Sequence, residues 1–310
     1  MSAVPDEVRR LAAEREEART RRDFSAADAL RDRILEAGYA VTDTPEGPQL
    51  EPASAPTPAP TERMRAAAVP SLLDRPAEFD ATAHWLVQGW PEDVERGIAS
   101  FERHCGERSV QHVVVDVTGE DREWPAGCDV VALVPGTGWG DARNAGLVRS
   151  LGEVVVVVDG SVEAAGDAVG PLAASLEDPT VGVTGPFGIV TEDLHDFWES
   201  EGPDVDAIEA YLLAVRRDQV VSGLRFDRGF KFYRTADIEL SFQVKEQGLR
   251  AVVTPVPVTR HEHRMWASTP QTDRERLSKR NFYRFLDRWR GRHDLTVAGG
   301  EREEVERPKS

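Results

Sequence analysis

The sequence predicts an α/β fold, with a mostly parallel sheet flanked by helices and a helical hairpin in front of it. Three observations carry this reading. The runs HVVVDV (112–117) and EVVVVV (153–158) are β-branched with almost no polar alternation, the pattern of strands buried on both faces. These runs alternate along the chain with helical segments. The stretch EPASAPTPAPTE (51–62) separates them from a charged, alanine-rich segment of helical periodicity, and its prolines favour extended backbone over a core.

The elements follow in chain order. Glu7 to Arg22 is rich in Ala, Glu and Arg, which are good helix formers, with Val8, Leu11 and Ala12 on one stripe. Ser25 and Asp28 read as the capping box of a second helix. Ala27, Leu30 and Ile34 line one face of that helix, and Gly38 stops it. The linker starts at 51 and continues without pattern to about Asp80. Ala83 to Val87 reads as a first strand, and Pro91 opens a helix running to about His104. Strands follow at 110–117 and 130–134, a helix at 141–151, the strongest strand at 153–158, and later strands at 180–184 and 250–258. A last, basic helix spans 270–293, with Leu277, Phe282, Phe285, Leu286 and Trp289 on its packed face. The expected organisation is a hairpin at 1–50, a linker at 51–80, the main domain at 81–293 and a mobile tail at 294–310.

Composition narrows the function. The 310 residues carry a net charge of -17, with 40% hydrophobic and 30% charged side chains, a globular composition. Residues 1–50 hold 8 basic and 11 acidic side chains and residues 270–310 hold 11 and 8. These ends cancel, so residues 51–269 carry the whole -17. Such a surface repels phosphates and argues against nonspecific nucleic-acid binding by the main domain. A nucleotide held through a metal ion stays compatible with it. Cys105 and Cys128 make neither a disulfide framework nor a four-cysteine zinc site, and they read as small buried residues. The N-terminus has no apolar signal core and no run is long enough to span a bilayer, so a cytoplasmic location without a membrane span is expected.

Ligands of open α/β sheets bind at the carboxyl ends of the strands. Asp116 and Asp159 end two of the strongest strands here, and a carboxylate at a buried strand end needs a partner. Either aspartate alone suits a loop cap. Both at one sheet edge suggest a site.

Two resemblances add to this. Residues 8–50, with Asp23-Phe24, Ala27-Asp28, Arg31-Asp32, Gly38 and Asp43-Thr44-Pro45-x-Gly47, resemble the C-terminal extension of cysteinyl-tRNA synthetases. The synthetase's catalytic signatures are absent from the rest of the chain, so the resemblance implies an interaction module that contacts RNA or protein. Residues 81–265 resemble family-two glycosyltransferases of the GT-A (nucleotide-diphospho-sugar transferase-like) fold. The matching residues are the strand ending in Asp116, Gly138 and Gly140, Ala142-Arg143-Asn144-Ala145-Gly146, VVVVVDGSVE, Arg216-Arg217, GLRFDRGFKFY, ADIELS and VPVTRHEH.

That second resemblance implies transfer of a sugar from a nucleotide-diphosphate donor to an unknown acceptor, with inversion by direct displacement. It places Asp116, Arg143, Asn144 and Asp159 at the donor and Asp237 as general base. It also implies a divalent cation, Mn²⁺ or Mg²⁺, held by Asp159 with His261 or His263. The chemistry is consistent: a diphosphate leaving group concentrates negative charge, which a hard cation on oxygen ligands neutralises, while a carboxylate deprotonates the acceptor hydroxyl. The sequence departs from the pattern at Val117, Ser161, Ala236, Glu239 and Gln243. The alternative is a degenerate, non-catalytic domain that binds nucleotide sugar, RNA or protein. Read without the resemblance, Asp237 and Glu239 begin a helix, His261 and His263 share a strand face, and Arg143 and Asn144 cap a helix.

Overall fold

The computed structural model describes residues 4–21, 23, 26–27, 30–31, 33–34, 37, 39–44, 47–52 and 62–299. The chain divides into two compact units, residues 1–60 and 61–310.

In the small unit, α1 (Asp6–Thr20) buries Val8, Leu11 and Ala12. They pack with the fully buried Ile34 and with Leu30, Tyr39, Val41 and Leu50, so the predicted apolar stripes meet. The capping box at Ser25 and Asp28 and the stop at Gly38 lie outside the described residues. The described residues 26–27, 30–31 and 33–34 are helical, as expected of a second helix, and strands follow them. β1 (Tyr39–Thr44) pairs antiparallel with β2 (Gly47–Pro52). Tyr39, Val41 and Thr42 suit a pleated strand, and Gly47 takes the positive φ of 116° that ends the turn. The strand also takes in Glu51 and Pro52, the first two residues of the predicted linker.

The large unit begins earlier than the hydrophobic pattern suggests. Residues 62–78 are a strap on the sheet, not a linker. Met64 bridges Leu133 in parallel, and the N–H groups of Leu72 and Glu78 donate to Val148 and Leu151 carbonyls. Arg217 donates to the carbonyls of Leu72 and Arg75 at 3.0 and 2.8 Å. Backbone bonds hold this strap, and they leave no side-chain periodicity to read.

Eight strands form the central sheet, in the order β11-β14-β8-β13-β6-β3-β4-β5. These are β3 (Phe79–Val87), β4 (Val110–Asp116), β5 (Asp129–Ala132), β6 (Gly152–Val158), β8 (Val181–Gly185), β11 (Asp204–Val205), β13 (Leu212–Arg216) and β14 (Arg250–Val253). The block β6-β3-β4-β5 is parallel, as is β14-β8. β13 runs antiparallel between β6 and β8. Smaller pairings join β9 (Gly188–Val190) to β10 (Trp198–Ser200) and β12 (Ala207–Ile208), and β7 (Val162–Ala164) to β15 (Val258–Arg260).

Two cores cover the sheet. On one face Val113, Val115, Val155 and Val157 pack with α3 (Trp139–Leu147) and α6 (Ala236–Glu246). On the other, Val114, Val156 and Val158 pack with α2 (Pro91–His104) and α4 (Gly170–Leu176). The valine runs are thus buried on both faces, as predicted. A short α5 (Arg217–Val221) follows β13. A third cluster docks α8 (Gln271–Trp289) on α6 through Phe242, Phe285, Leu286 and Trp289. The segment after α8 is anchored as far as it is described: Leu295 and Thr296 are buried, and the Val297 N–H donates to the buried Asp206.

Candidate functional site

Asp116 ends β4 and Asp159 follows β6. Asp116 and Asp159 each open an Asp-x-Ser/Thr turn. Asp116 Oδ1 accepts the Thr118 N–H at 2.8 Å and its hydroxyl at 2.7 Å. Asp159 Oδ1 accepts the Ser161 N–H at 2.9 Å and its hydroxyl at 2.5 Å. The position where a second acid of an Asp-x-Asp motif would stand is therefore occupied by a hydroxyl that orients the first.

Arg143 and Asn144 sit on α3 behind this edge. The fully buried Arg143 guanidinium donates to the carbonyls of His84 and Val158 at 3.1–3.2 Å, pinning β3 and β6 just before Asp159. Burial, only partly offset by the charge of Asp159, lowers its pKa to about 10. Asn144 exchanges two hydrogen bonds with the Phe226 backbone, at 2.7 and 2.9 Å. Both side chains hold backbone in place, and neither lines a cavity with Asp159; Asp116, 3% exposed, does not either. The resemblance groups these three with Asp159 at the donor, whereas the structure brings only Asp159 to the cavity wall.

That cavity, about 600 Å³, lies between Asp159, Glu209, Tyr211, Tyr233, Asp237 and His263. His263 caps α7 (Arg264–Ser268), with Nδ1 accepting the Trp266 N–H at 3.1 Å. In the neutral ring this leaves the proton on Nε2, which faces Asp159 Oδ2 at 3.5 Å. The ring stacks on Tyr233, with centroids 4.3 Å apart, and meets Tyr211 edge-on. Burial pushes the Asp159 carboxyl up, but the bonds from His263 and Ser161 prevail and hold it at about 2. It is an anion prepared for a cationic or hydrogen-bonding partner.

His261 goes elsewhere. Its Nε2 lies 2.9 Å from Glu163 Oε2, a carboxylate that Arg96 also approaches at 3.5 Å. Strand β15 ends at Arg260 and His263 already begins the next helix, so the two histidines do not continue a strand alternation. The set Asp159, His261 and His263 is therefore not assembled. Among the described residues no three His, Cys, Asp or Glu side chains are placed to hold a metal ion. Asp159 and His263 alone face one cavity as candidate donors, and the imidazole offers a metal a lone pair only if its Nδ1 gives up the Trp266 N–H.

Asp237 begins α6 on the cavity wall. Its oxygens accept the N–H groups of Ala210 at 3.0 Å and Ile238 at 2.9 Å. Burial raises its pKa against those bonds. The departures further along the helix have a partner: Glu239, 1% exposed, accepts from Gln243 and from Arg288 of α8, both at 2.7 Å. Together they clamp α8 to α6. Asp227 makes a two-pronged bond with Arg284, at 2.6 and 2.8 Å, and serves the same docking.

Comparison with known proteins is informative for each unit in turn. Residues 1–49 match the family described as cysteinyl-tRNA ligase anticodon binding domain. The cysteine–tRNA ligase of Chlamydia pneumoniae is 49% identical over 49 residues, 16% of this chain and 10% of that protein. That of Methanosarcina mazei is 52% identical over 48 residues, again 16% and 10%. The chain thus spans about a tenth of the length of these relatives. The crystal structure of GalNAc-T7 with UDP, GalNAc and Mn²⁺ aligns over 70% of this chain and 50% of that one, with a TM-score of 0.54 and 15% identity. The large unit has a GT-A glycosyltransferase fold. In the GT-A unit the candidate site lies at the carboxyl edge of the parallel block, where sheets of this class bind ligands. No described helix is long and apolar enough to cross a membrane.

Sequence reasoning missed Glu209 of the GT-A unit. It lies between β12 and β13, two short strands the pattern did not reveal. The only signal in the sequence is an acid in an otherwise apolar stretch, AIEAYLLAV.

Proposed function

We propose that the GT-A unit transfers a sugar from a nucleotide-diphosphate donor to an acceptor hydroxyl, by direct displacement. One observation carries the reading. One cavity is lined by Asp159, which follows β6, and by His263 and Asp237. Two acids in different environments suit the two halves of the reaction. Asp159, held ionised, faces the donor side. Asp237, raised by burial, draws the proton from the acceptor hydroxyl. The acceptor oxygen then bonds to the anomeric carbon as the bond from that carbon to the diphosphate oxygen breaks.

GalNAc-T7 was solved with Mn²⁺, and a divalent cation here would be held by Asp159 and His263. When bound, it supplies charge neutralisation to the departing diphosphate. Arg143 keeps Asp159 in place, and Tyr211 and Tyr233 exclude water around His263. The match at residues 1–49 supports a second role, RNA contact by the small unit.

Calorimetric titration of the full chain with UDP-, GDP- and dTDP-sugars, with and without Mn²⁺, tests the main reading. Binding of at least one donor is expected, and none would overturn it. Donor turnover should vanish in Asp237→Asn while binding persists. For the small unit, tRNA binding should be lost on deleting residues 1–60; unchanged binding would refute that role.

A further inference from the structure

Glu209 has no part in the reaction as described, yet it is built into the same wall. Its N–H donates to the Phe187 carbonyl at 2.8 Å, and the next N–H in the chain, that of Ala210, donates to Asp237 Oδ2. The backbone that carries Glu209 is thus tied directly to the Asp237 carboxylate. Glu209 lines the central cavity together with Asp237. It also lines a neighbouring groove of about 830 Å³ with Glu199 and Arg260, so it stands where the two spaces join.

The two carboxyls are held differently. Both Asp237 oxygens accept backbone N–H groups, and these favour the charged form. Among the described residues no hydrogen bond or ion pair reaches the Glu209 carboxyl. The groups that face it are Asp237 of α6, Arg234 just before that helix, Arg260 of β15 and Glu199 of β10, with Tyr211 on its own segment. Arg260 is held over the Tyr211 and Phe187 rings and Arg234 over Trp266. Burial and then the charge of Asp237 raise Glu209 to about 7, against the two arginines and with a further push from Glu199.

We propose that Glu209 and Asp237 work as one proton-accepting pair, in which the proton drawn from the acceptor hydroxyl by Asp237 comes to rest on Glu209. This rests on the transferase reading and completes its proton path. The O–H bond of the acceptor breaks, and its electron pair forms the bond to the anomeric carbon. The diphosphate leaves with the electrons of the bond it loses. The proton passes from Asp237 to Glu209, and then to water in the neighbouring groove. Two adjacent carboxyls share one proton more readily than they hold two charges.

The test uses the full chain with ¹³C-carboxyl glutamate, followed by NMR against pH, and donor hydrolysis with water as acceptor. The expected result is a carboxyl transition near neutral pH that disappears in Glu209→Gln and moves to lower pH in Asp237→Asn. Glu209→Gln should also lower donor hydrolysis about tenfold and remove the near-neutral limb of its pH profile. The proposal falls if no such transition exists, if Asp237→Asn leaves it in place, or if the hydrolysis profile of Glu209→Gln is that of the wild type. Failure of every sugar nucleotide to turn over would remove the transferase reading, while the NMR result would still decide whether the carboxyls form a pair.

Discussion

Asp116 and Asp159 are a natural experiment within one sheet. Asp116 ends and Asp159 follows a valine-rich strand, each opens an Asp-x-Ser/Thr turn, and in each Oδ1 accepts a backbone N–H and a hydroxyl. Their surroundings differ. Asp116 lies on β4, opposite Val87 and Ala132, and its carboxylate is absorbed by its own turn. Asp159 follows β6, where the β7–β15 pairing returns the chain and presents His263 to the second oxygen. The shared motif makes a turn. What lies across from it makes one aspartate a component of a site.

Predictions can break or sharpen that contrast, beginning with the largest effect. Asp159→Asn should reduce donor turnover by about 10²–10³-fold, whereas Asp116→Asn should change it less than about threefold; equal losses in a turnover assay would erase the distinction. Arg143→Met removes the support that only Asp159 has and strands the His84 and Val158 carbonyls. Urea denaturation should show a loss of roughly 2–4 kcal/mol, and a loss below about 1 kcal/mol would mean those bonds do not matter.

Metal affinity separates the two histidines. Calorimetry with Mn²⁺ alone should show binding weakened about tenfold or more in His263→Ala and unchanged in His261→Ala. The reverse order would move the donor pair to Glu163. Glu209, which lines the same cavity, adds a pH signature. Its folded pKa is raised, so as pH rises from about 4.5 to about 7 the unfolded chain gives up its proton first and stability falls. Wild-type protein should therefore lose stability relative to Glu209→Gln across that window, and parallel melting curves would contradict the burial of this acid. The smallest effects belong to the turns themselves. Ser161→Ala and Thr118→Val should each cost about 1 kcal/mol in denaturation, and Ser161→Ala should raise the titration of Asp159. An unchanged Asp159 titration by NMR would show that the Ser161 hydroxyl does not hold that carboxylate.

Much of the GT-A unit was legible. β3, β4, β6 and α2 were found because a strand buried on both faces and a proline-started amphipathic helix each leave a periodic record. β13 left a shorter one: LLAVR is five residues, and it enters antiparallel between β6 and β8 without a hairpin to announce it. The 62–78 strap has no side-chain pattern because backbone bonds hold it. The strand pair 39–44 and 47–52 in the small unit has no counterpart in the sequence reading, which ends the second helix at Gly38 and starts the linker at 51. In the site, Asp159 and Asp237 were legible as acids at a strand end and a helix start. Glu209 was not, since its meaning depends on Asp237, 28 positions away in the chain. The histidine pair misled because strand alternation was extended three residues past Arg260, to His263.

By itself the sequence determined the main buried strands and helices of the large unit, where the acids stand relative to strand ends, and that residues 1–50 read as a separate module. Local sterics and burial periodicity act over a few residues, so they are written locally. Only the tertiary structure decided that Asp159 rather than Asp116 faces the cavity, that His263 rather than His261 meets it, and that Glu209 neighbours Asp237. Those choices depend on which distant segment fills the space across from each side chain, and packing settles that over the whole sheet.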